Sequence, residues 1–323
     1  MDFLRHIFRP ALGALLVGTA LLAQAPTLLS HAQSAVVHFE VLDRYGALVR
    51  EANGCLVSPE GLVLTSYDAI RGGYSAAVHV AGHESPSLQG VVMVDADRNL
   101  VVLKLNDPSL LPSVLLGDAA AVSAGDEVFV VHARTQGDAV IAARVVPAPA
   151  SAGGFEVQPR TGRPASGDPV FDAMGRFLAV VGGLTSGGAW RVVPVSLARP
   201  AFDRSVDQTL RQVTEAHTQE TRLLATTVMV PAHKVRSMTL PVAAAWQGGD
   251  LELTFTAVGG LTNFIRLRLR QGGRLIYDSH RAATGSFHTV LADTSPLTVE
   301  WDNRGSLLLS RHVTTAVVVR QVH

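Results

Sequence analysis

The stretch that decides the fold of this chain is RPASGDPVF, residues 163–171. Ser166 stands there in a loop of glycine and prolines, which are turn-forming residues. A proline precedes it by two positions, and an aspartate follows it by two. The loop raises the question of whether the Ser166 hydroxyl is a working nucleophile or the remains of one.

Short apolar runs rich in valine lie on both sides of this loop. From residue 35 to about 200 they are broken by Gly, Pro, Asp and Ser, as in AVVHFEVL, LVVLKL and FLAVVGG. No long helical periodicity interrupts them. Many short strands at close spacing predict an all-β barrel or sandwich.

The composition fits an exported globular protein of more than one domain. The 323 residues are 47% hydrophobic and 17% charged, and that length allows two domains. Acidic and basic residues balance at 27 each, so the net charge does not indicate a nucleic-acid partner. Cys55 is the single cysteine, which excludes an intramolecular disulfide. We expect no cofactor and no metal.

The N-terminus has the pattern of a targeting segment. Two arginines precede an uncharged apolar run, ALGALLVGTALLA (11–23), and SHA (30–32) fits a small-residue cleavage site. We predict a signal peptide over residues 1–32, cut after Ala32, with an uncleaved membrane anchor as the alternative. Either way, the rest of the chain is predicted to be periplasmic or extracellular.

Five collinear segments resemble the HtrA/Deg branch of trypsin-like serine proteases. They are GCLVSPEGLVLTSYDAIRG (54–72), VDADRNLVVLKL (94–105), LGDAAAVSAGDEVFVV (116–131), RPASGDPVFDAMGRFLAVVGG (163–183) and RVVPVSLAR (191–199). The resemblance implies two six-stranded antiparallel barrels over residues 35–201, with a cleft between them, and leaves open whether they form an oligomer.

The same resemblance implies a degenerate catalytic triad. The family's histidine falls on Asp68, its aspartate on Asn99 and its serine on Ser166. A serine hydroxyl is a weak nucleophile until a base takes its proton, and an aspartate is a poor base near neutral pH. Loss of the triad costs such enzymes on the order of a million-fold in rate.

The oxyanion loop is also predicted to be defective. Pro164 falls on a glycine whose N–H stabilises the oxyanion in the family, and proline has no N–H. We expect the carboxylate of Asp168 to face the position where negative charge develops. An alignment shifted by one residue would bring Gly162 to the donor position, without restoring the histidine.

Residues 202–226 predict a helix and linker. Phe202, Val206, Leu210 and Val213 recur at spacings of three and four residues, the pattern of an amphipathic helix that packs on a barrel. The segment then becomes polar, as a connector would.

Residues 227–323 predict a β-sandwich. Leu251, Leu253 and Phe255 alternate with polar residues, so one face of that strand is buried. The stretch VEWDNRGSLLLSRHVTTAVVV (299–319) resembles the end of the GOLD domain, the β-sandwich of Golgi-dynamics and cargo-receptor proteins. Trp301 is the expected core anchor. The resemblance implies binding of proteins or lipids rather than catalysis.

Three arginines on one predicted strand are the candidate binding residues. Arg266, Arg268 and Arg270 alternate with apolar residues, and QGG after them predicts a hairpin turn. The row is either a solvated face that prevents edge pairing or a docking surface for an acidic protein or an anionic membrane.

These observations predict an exported pseudoprotease that serves as a protein-binding or scaffold module, with no enzymatic activity. Two alternatives stay open. One is a serine hydrolase that uses Ser166. The other is a structural subunit of an envelope assembly, anchored through its N-terminus.

Overall fold

The computed structural model describes residues 29–84, 86–107, 109–133, 139–148, 154–259 and 262–323. The chain divides into two compact units, and the boundary in the sequence falls between Thr214 and Glu215. Each unit has its own hydrophobic core.

Most of the predicted signal segment, residues 1–28, lies outside the described residues. Residues 29–34 are helical, and Leu29 and Ala32 are buried in the core of the first barrel. A cut after Ala32 would therefore remove two core side chains. Among the residues that the structure describes, no helix has the length and apolar character needed to cross a membrane.

The first unit begins with a closed six-stranded barrel in which neighbours pair in the order β1-β2-β3-β6-β5-β4. The strands are β1 (Val36–Leu42), β2 (Leu48–Leu56), β3 (Leu62–Thr65), β4 (Ser75–Val80), β5 (Ser87–Asp95) and β6 (Leu100–Asn106). A short helix, α1 (Tyr67–Ile70), follows β3. Inward residues such as Phe39 and Leu103 are fully buried, as strand alternation requires.

A second closed barrel follows, with the order β10-β11-β12-β9-β8-β7. Its strands are β7 (Glu127–Val131), β8 (Val140–Val146), β9 (Glu156–Pro159), β10 (Pro169–Phe171), β11 (Phe177–Leu184) and β12 (Trp190–Pro194). Two 3₁₀ turns, Ala119–Ala121 and Val195–Ala201, lie before and after it. The two antiparallel six-stranded barrels confirm the predicted chymotrypsin-like fold.

The helix predicted within residues 202–226 is much shorter than expected. Only α2 (Leu210–Ala216) is helical, and the next strand already begins at Thr218. Val206 packs on Gly90 in the first barrel from a non-helical segment. The spacing of Phe202 and Val206 therefore reflects burial of these side chains against the barrel rather than one face of a helix.

The second unit consists of two four-stranded antiparallel sheets that share one core. One sheet has the order β13-β20-β15-β18 and the other β14-β19-β16-β17. The strands are β13 (Thr218–Val230), β14 (Val235–Leu240), β15 (Asp250–Val258), β16 (Arg266–Gln271), β17 (Arg274–Asp278), β18 (Thr284–Val290), β19 (Leu297–Asp302) and β20 (Arg311–Val322), with a 3₁₀ turn at Ala244–Trp246.

Trp301 lies in that core as predicted, buried, with its indole N–H donated to Thr315 Oγ1 at 2.9 Å. The predicted hairpin is also present, because β16 pairs with β17 across Gly272 and Gly273. Residues 218–226, predicted as linker, belong to β13, which pairs along its length with β20. The linker polarity comes from exposed positions on an edge strand.

Candidate functional site

Ser166 lies in the loop between β9 and β10, with its hydroxyl in contact with two oxygen atoms. Ser166 Oγ is 2.8 Å from Ser66 Oγ and 3.5 Å from the carbonyl oxygen of Gly182. A hydroxyl and a peptide carbonyl are both too weakly basic to deprotonate a serine. These contacts hold the hydroxyl in place without activating it.

Ser66 occupies this position because it caps α1. Its Oγ accepts a hydrogen bond from the N–H of Ala69 at 3.2 Å, the role of an N-cap serine. Its side chain is buried. The neighbour of the Ser166 hydroxyl is therefore a structural group of the first barrel.

Asp68 and Asn99, the two other positions of the predicted triad, contact each other directly. Asn99 Oδ1 accepts from the N–H of Asp68 at 2.8 Å, and Asn99 Nδ2 donates to Asp68 Oδ2 at 3.0 Å. Asn99 Nδ2 also donates to the Gly182 carbonyl at 2.6 Å. Since Ser166 contacts the same carbonyl, the fold brings the three positions to one place.

Two arginines surround Asp68. Arg71 Nη1 lies 3.6 Å from Asp68 Oδ1, and Arg50 Nη1 donates to the Asp68 carbonyl oxygen. Burial and the nearby charge of Arg71 lower the pKa of Arg50, while Asp68 opposes that shift. The Asp68 carboxylate is thus occupied by Arg71 and Asn99.

Asp168 does not face the position expected for it. The sequence predicts a carboxylate turned toward the oxyanion position, but Asp168 is fully buried. It accepts from Asn53 Nδ2 at 2.8 Å and from the N–H of Ala165 at 2.6 Å. The prediction was wrong because a carboxylate inside the protein turns toward donors that stabilise its charge.

A buried histidine completes the environment of Asp168. His132 Nδ1 lies 2.8 Å from Asp168 Oδ2, and both side chains are almost inaccessible to solvent. The contact is an ion pair when the imidazole is protonated, and its geometry is not that of an aligned hydrogen bond. His132 follows β7, so the loop is tied to its own barrel.

The loop is also tied to the first barrel. Asn53, which donates to Asp168, lies on β2, and its Oδ1 is 3.2 Å from His38 Nδ1. Gly167 has a φ of +91°, and a Cβ there would stand 2.4 Å from the Asn53 carbonyl oxygen and 2.5 Å from Thr65 Oγ1. Only glycine fits this approach.

The oxyanion side of the loop lacks the N–H group that the family's first loop glycine supplies. Pro164 has none to donate, and the N–H of Ala165 is bound to Asp168. Gly162, the alternative donor, lies against Ile141 of β8. The loop therefore directs its available polar groups into the protein.

The arginine row of the second unit is paired with carboxylates. Arg268, whose side chain is 13% exposed, lies 2.6 Å from Glu300 and 2.5 Å from Asp302. Arg266 binds Asp278 at 2.5 Å, and Arg270 lies 4.0 Å from Glu300. Strands β17 and β19 flank β16 and bring these acids to the same face, which sequence alternation cannot reveal.

His132, Asn53 and Ser66 are site residues that the sequence prediction missed. Asn53 lies within β2, and His132 and Ser66 directly follow β7 and β3, at positions to which no motif assigns a role. The available signal was a polar residue at a position predicted to be buried, because a buried polar group requires a hydrogen-bond partner. Within the described ranges, no group of three His, Cys, Asp or Glu side chains could hold a metal ion.

Comparison with known proteins agrees with the barrel fold of the first unit. Residues 52–180 match the family model of the trypsin-like peptidase domain. That range contains Asp68, Asn99 and Ser166. A search of the curated proteins finds no match.

Proposed function

We propose that the trypsin-like peptidase domain of this chain is catalytically inactive and that the protein is an exported protein-binding or scaffold module. One observation carries the proposal. The Ser166 hydroxyl contacts the Ser66 hydroxyl and the Gly182 carbonyl, and neither group can act as its general base.

The groups at the other two triad positions support inactivity. Asp68 and Asn99 satisfy each other through two hydrogen bonds, so neither is directed at Ser166. Asn99 uses both hydrogens of its amide, on Asp68 and on Gly182. To activate Ser166, a general base would have to take the place of Asp68. It would also need a residue other than Asn99 to orient it.

The oxyanion loop supports inactivity independently. Removal of one oxyanion donor costs about 10²–10³-fold in rate, and Pro164 removes one. The Asp168 contacts with Asn53 and His132 hold the loop to both barrels. These contacts hold the loop in place, and Pro164 has no N–H to donate in any conformation.

Retention of a well-packed fold supports a binding role. Both barrels have continuous buried cores, and the three degenerate positions remain joined by hydrogen bonds. Fold and activity are separable properties, so a barrel pair without catalysis still offers a stable surface for a partner. Export rests on the N-terminal pattern of residues 1–32.

Fluorophosphonate labelling of the purified chain tests the inactivity. We expect no covalent labelling of Ser166 in a chain that circular dichroism shows to be folded. A Ser166→Ala variant is the matched control, and trypsin is the positive control for the reagent. Labelling that disappears in Ser166→Ala would overturn the proposal and restore the serine hydrolase.

Site-specific photocrosslinking in the producing cell tests the binding role. A photoreactive phenylalanine replaces Asp68 at the degenerate site, and the same residue replaces the exposed Leu48 as the control. We expect one partner protein, identified by mass spectrometry, to crosslink at position 68 but not at position 48. If no protein crosslinks at position 68, or if crosslinking is equal at both positions, a partner at this site is contradicted.

A further inference from the structure

The loop between β19 and β20, residues 303–310, exposes three consecutive leucines. Leu307 is 77% exposed, Leu308 is 88% exposed and Leu309 is 47% exposed. We call residues 303–310 the leucine loop. Contiguous exposed apolar side chains mark interaction sites, and nothing in the serine site accounts for them.

Internal hydrogen bonds give the leucine loop a defined shape. The buried Asn303 donates to the carbonyl oxygens of Val230 and Leu309, each at 3.0 Å. Ser306 Oγ donates to the Leu309 carbonyl at 2.9 Å and accepts from the Leu309 N–H at 3.2 Å. The leucines are therefore presented by a braced turn.

The same bonds satisfy much of the backbone at the tip. His233 Nε2 lies 2.9 Å from the Leu307 carbonyl, and the N–H and C=O of Leu309 are both bonded within the loop. Peptide groups that enter an apolar phase must have partners inside the protein. This loop meets that condition for both peptide groups of Leu309 and for the carbonyl of Leu307.

Arginines lie beside the leucines. A cleft of about 560 Å³ is lined by these arginines, Arg281, Arg304 and Arg311, together with Leu307–Leu309 and Phe264. Among the described residues, its only carboxylate is Asp302. A hydrogen bond from Arg304 lowers the pKa of Asp302, which therefore stays ionised, but Arg268 shares that carboxylate. The cleft keeps an excess of positive charge.

Arg311 contributes an unusual buried cation to this cleft. Its side chain is almost inaccessible, and its Nη1 donates to the carbonyls of Gly259 and Ser310. Its Nε is buried without a partner in the part of the chain that the structure describes. An anion in the cleft would supply the counter-charge that buried cations require.

We infer that the leucine loop docks on an anionic phospholipid membrane. The leucines enter the acyl region, and the exposed Arg281 and Arg304 face the lipid phosphates. The buried charge of Arg311 adds to the positive potential of the cleft. An apolar tip with cations beside it matches the two layers of a lipid surface. The cleft shares Arg266 and Asp302 with the paired arginine row of β16. The site is independent of Ser166 chemistry.

A fluorophore attached at Leu308→Cys in the full chain tests the inference. The native Cys55 is fully buried, so a thiol-reactive nitrobenzoxadiazole label reports on position 308. With phosphatidylcholine vesicles that contain about 30 mol% phosphatidylserine, we expect its emission to rise about threefold. Pure phosphatidylcholine should give little change, and about 1 M salt should reverse the rise.

Two matched controls separate the leucine loop from other membrane contacts of the chain. Leu115→Cys places the label at a residue of similar exposure, 79%, in the first unit, and its emission should stay constant. Arg281→Glu in the Leu308→Cys chain should abolish the rise. Arg236→Glu makes the same charge change at another exposed arginine of the second unit and should leave it intact.

Several results would overturn the inference. The first is no rise in label emission with phosphatidylserine vesicles. The second is a rise at position 115 equal to that at position 308. The third is that Arg236→Glu abolishes the rise as fully as Arg281→Glu does. A rise with inorganic phosphate alone would assign the cleft to a small soluble anion instead. A rise with polyglutamate in the absence of vesicles would indicate an acidic protein partner.

Discussion

Asn99 and Asp68 are joined by two hydrogen bonds, with Asn99 Oδ1 accepting from the backbone N–H of Asp68 at 2.8 Å and Asn99 Nδ2 donating to its carboxylate at 3.0 Å. In a working serine protease, these two places hold the base and the carboxylate that orients it. Here the two residues bind each other instead.

We predict that Asp68→His alone will not hydrolyse a fluorogenic peptide. The new imidazole would meet Asn99, whose neutral amide cannot stabilise an imidazolium, and Pro164 would still lack its N–H. The combination of Asp68→His, Asn99→Asp and Pro164→Gly should recover weak hydrolysis. Measurable turnover by the single variant would show that the oxyanion argument is wrong.

Gly167→Ala should destabilise the first unit by about 3 kcal/mol, because it combines a left-handed backbone with a clash against Asn53 and Thr65. Gly82→Ala is the control, since Gly82 has a φ of +79° and open space around it. That change should cost about 1 kcal/mol. Urea denaturation measures both, and equal losses would exclude the close contact as the cause.

Asp168→Ala should lower the free energy of unfolding by about 3 kcal/mol, because Asn53 Nδ2 and the Ala165 N–H would lose their acceptor inside the protein. The exposed Asp97→Ala should change it by less than about 0.5 kcal/mol. Thermal and urea unfolding give the comparison. If Asp168→Ala left the free energy of unfolding unchanged, the buried contacts would not be what holds the loop.

Arg268 and Arg266 should respond differently to truncation, although the sequence places them in one row. Arg268→Ala removes the largely buried cation that bridges Glu300 and Asp302, while Arg304 stays bound to Asp302. It should cost about 3 kcal/mol. The Arg266–Asp278 pair is more exposed, so Arg266→Ala should cost much less than Arg268→Ala. Similar small losses in urea denaturation would argue that the row is a solvated surface.

Arg266 hydrogen-bonds Asp278 and lowers the pKa of that carboxyl from 3.8 to about 2. The folded pKa lies below the unfolded one, so the stabilisation is present above about pH 4. It is lost as the pH falls toward 2. Carboxyl titration by NMR should show the Asp278 pKa rising toward 3.8 in Arg266→Gln, and an unchanged pKa would exclude Arg266 as its cause.

Much of the fold follows from local features of the sequence. The order of the five segments predicts the barrel pair, and the alternation of Leu251, Leu253 and Phe255 predicts a strand with one buried face, which the structure confirms. The spacing of Phe202 and Val206 misled the helix prediction. Burial against a barrel and burial along a helix leave the same pattern over a few residues.

The sequence by itself determined the β fold and which residue types stand at Asp68, Asn99 and Ser166, because motif order and strand alternation are properties of neighbouring residues. Tertiary structure alone decided what those residues touch. Ser66 and Ser166 are 100 positions apart, and Asn53 and Asp168 are 115 apart. Buried polar groups take their partners from whichever strands the barrels bring together, so these contacts exist only once the chain has folded.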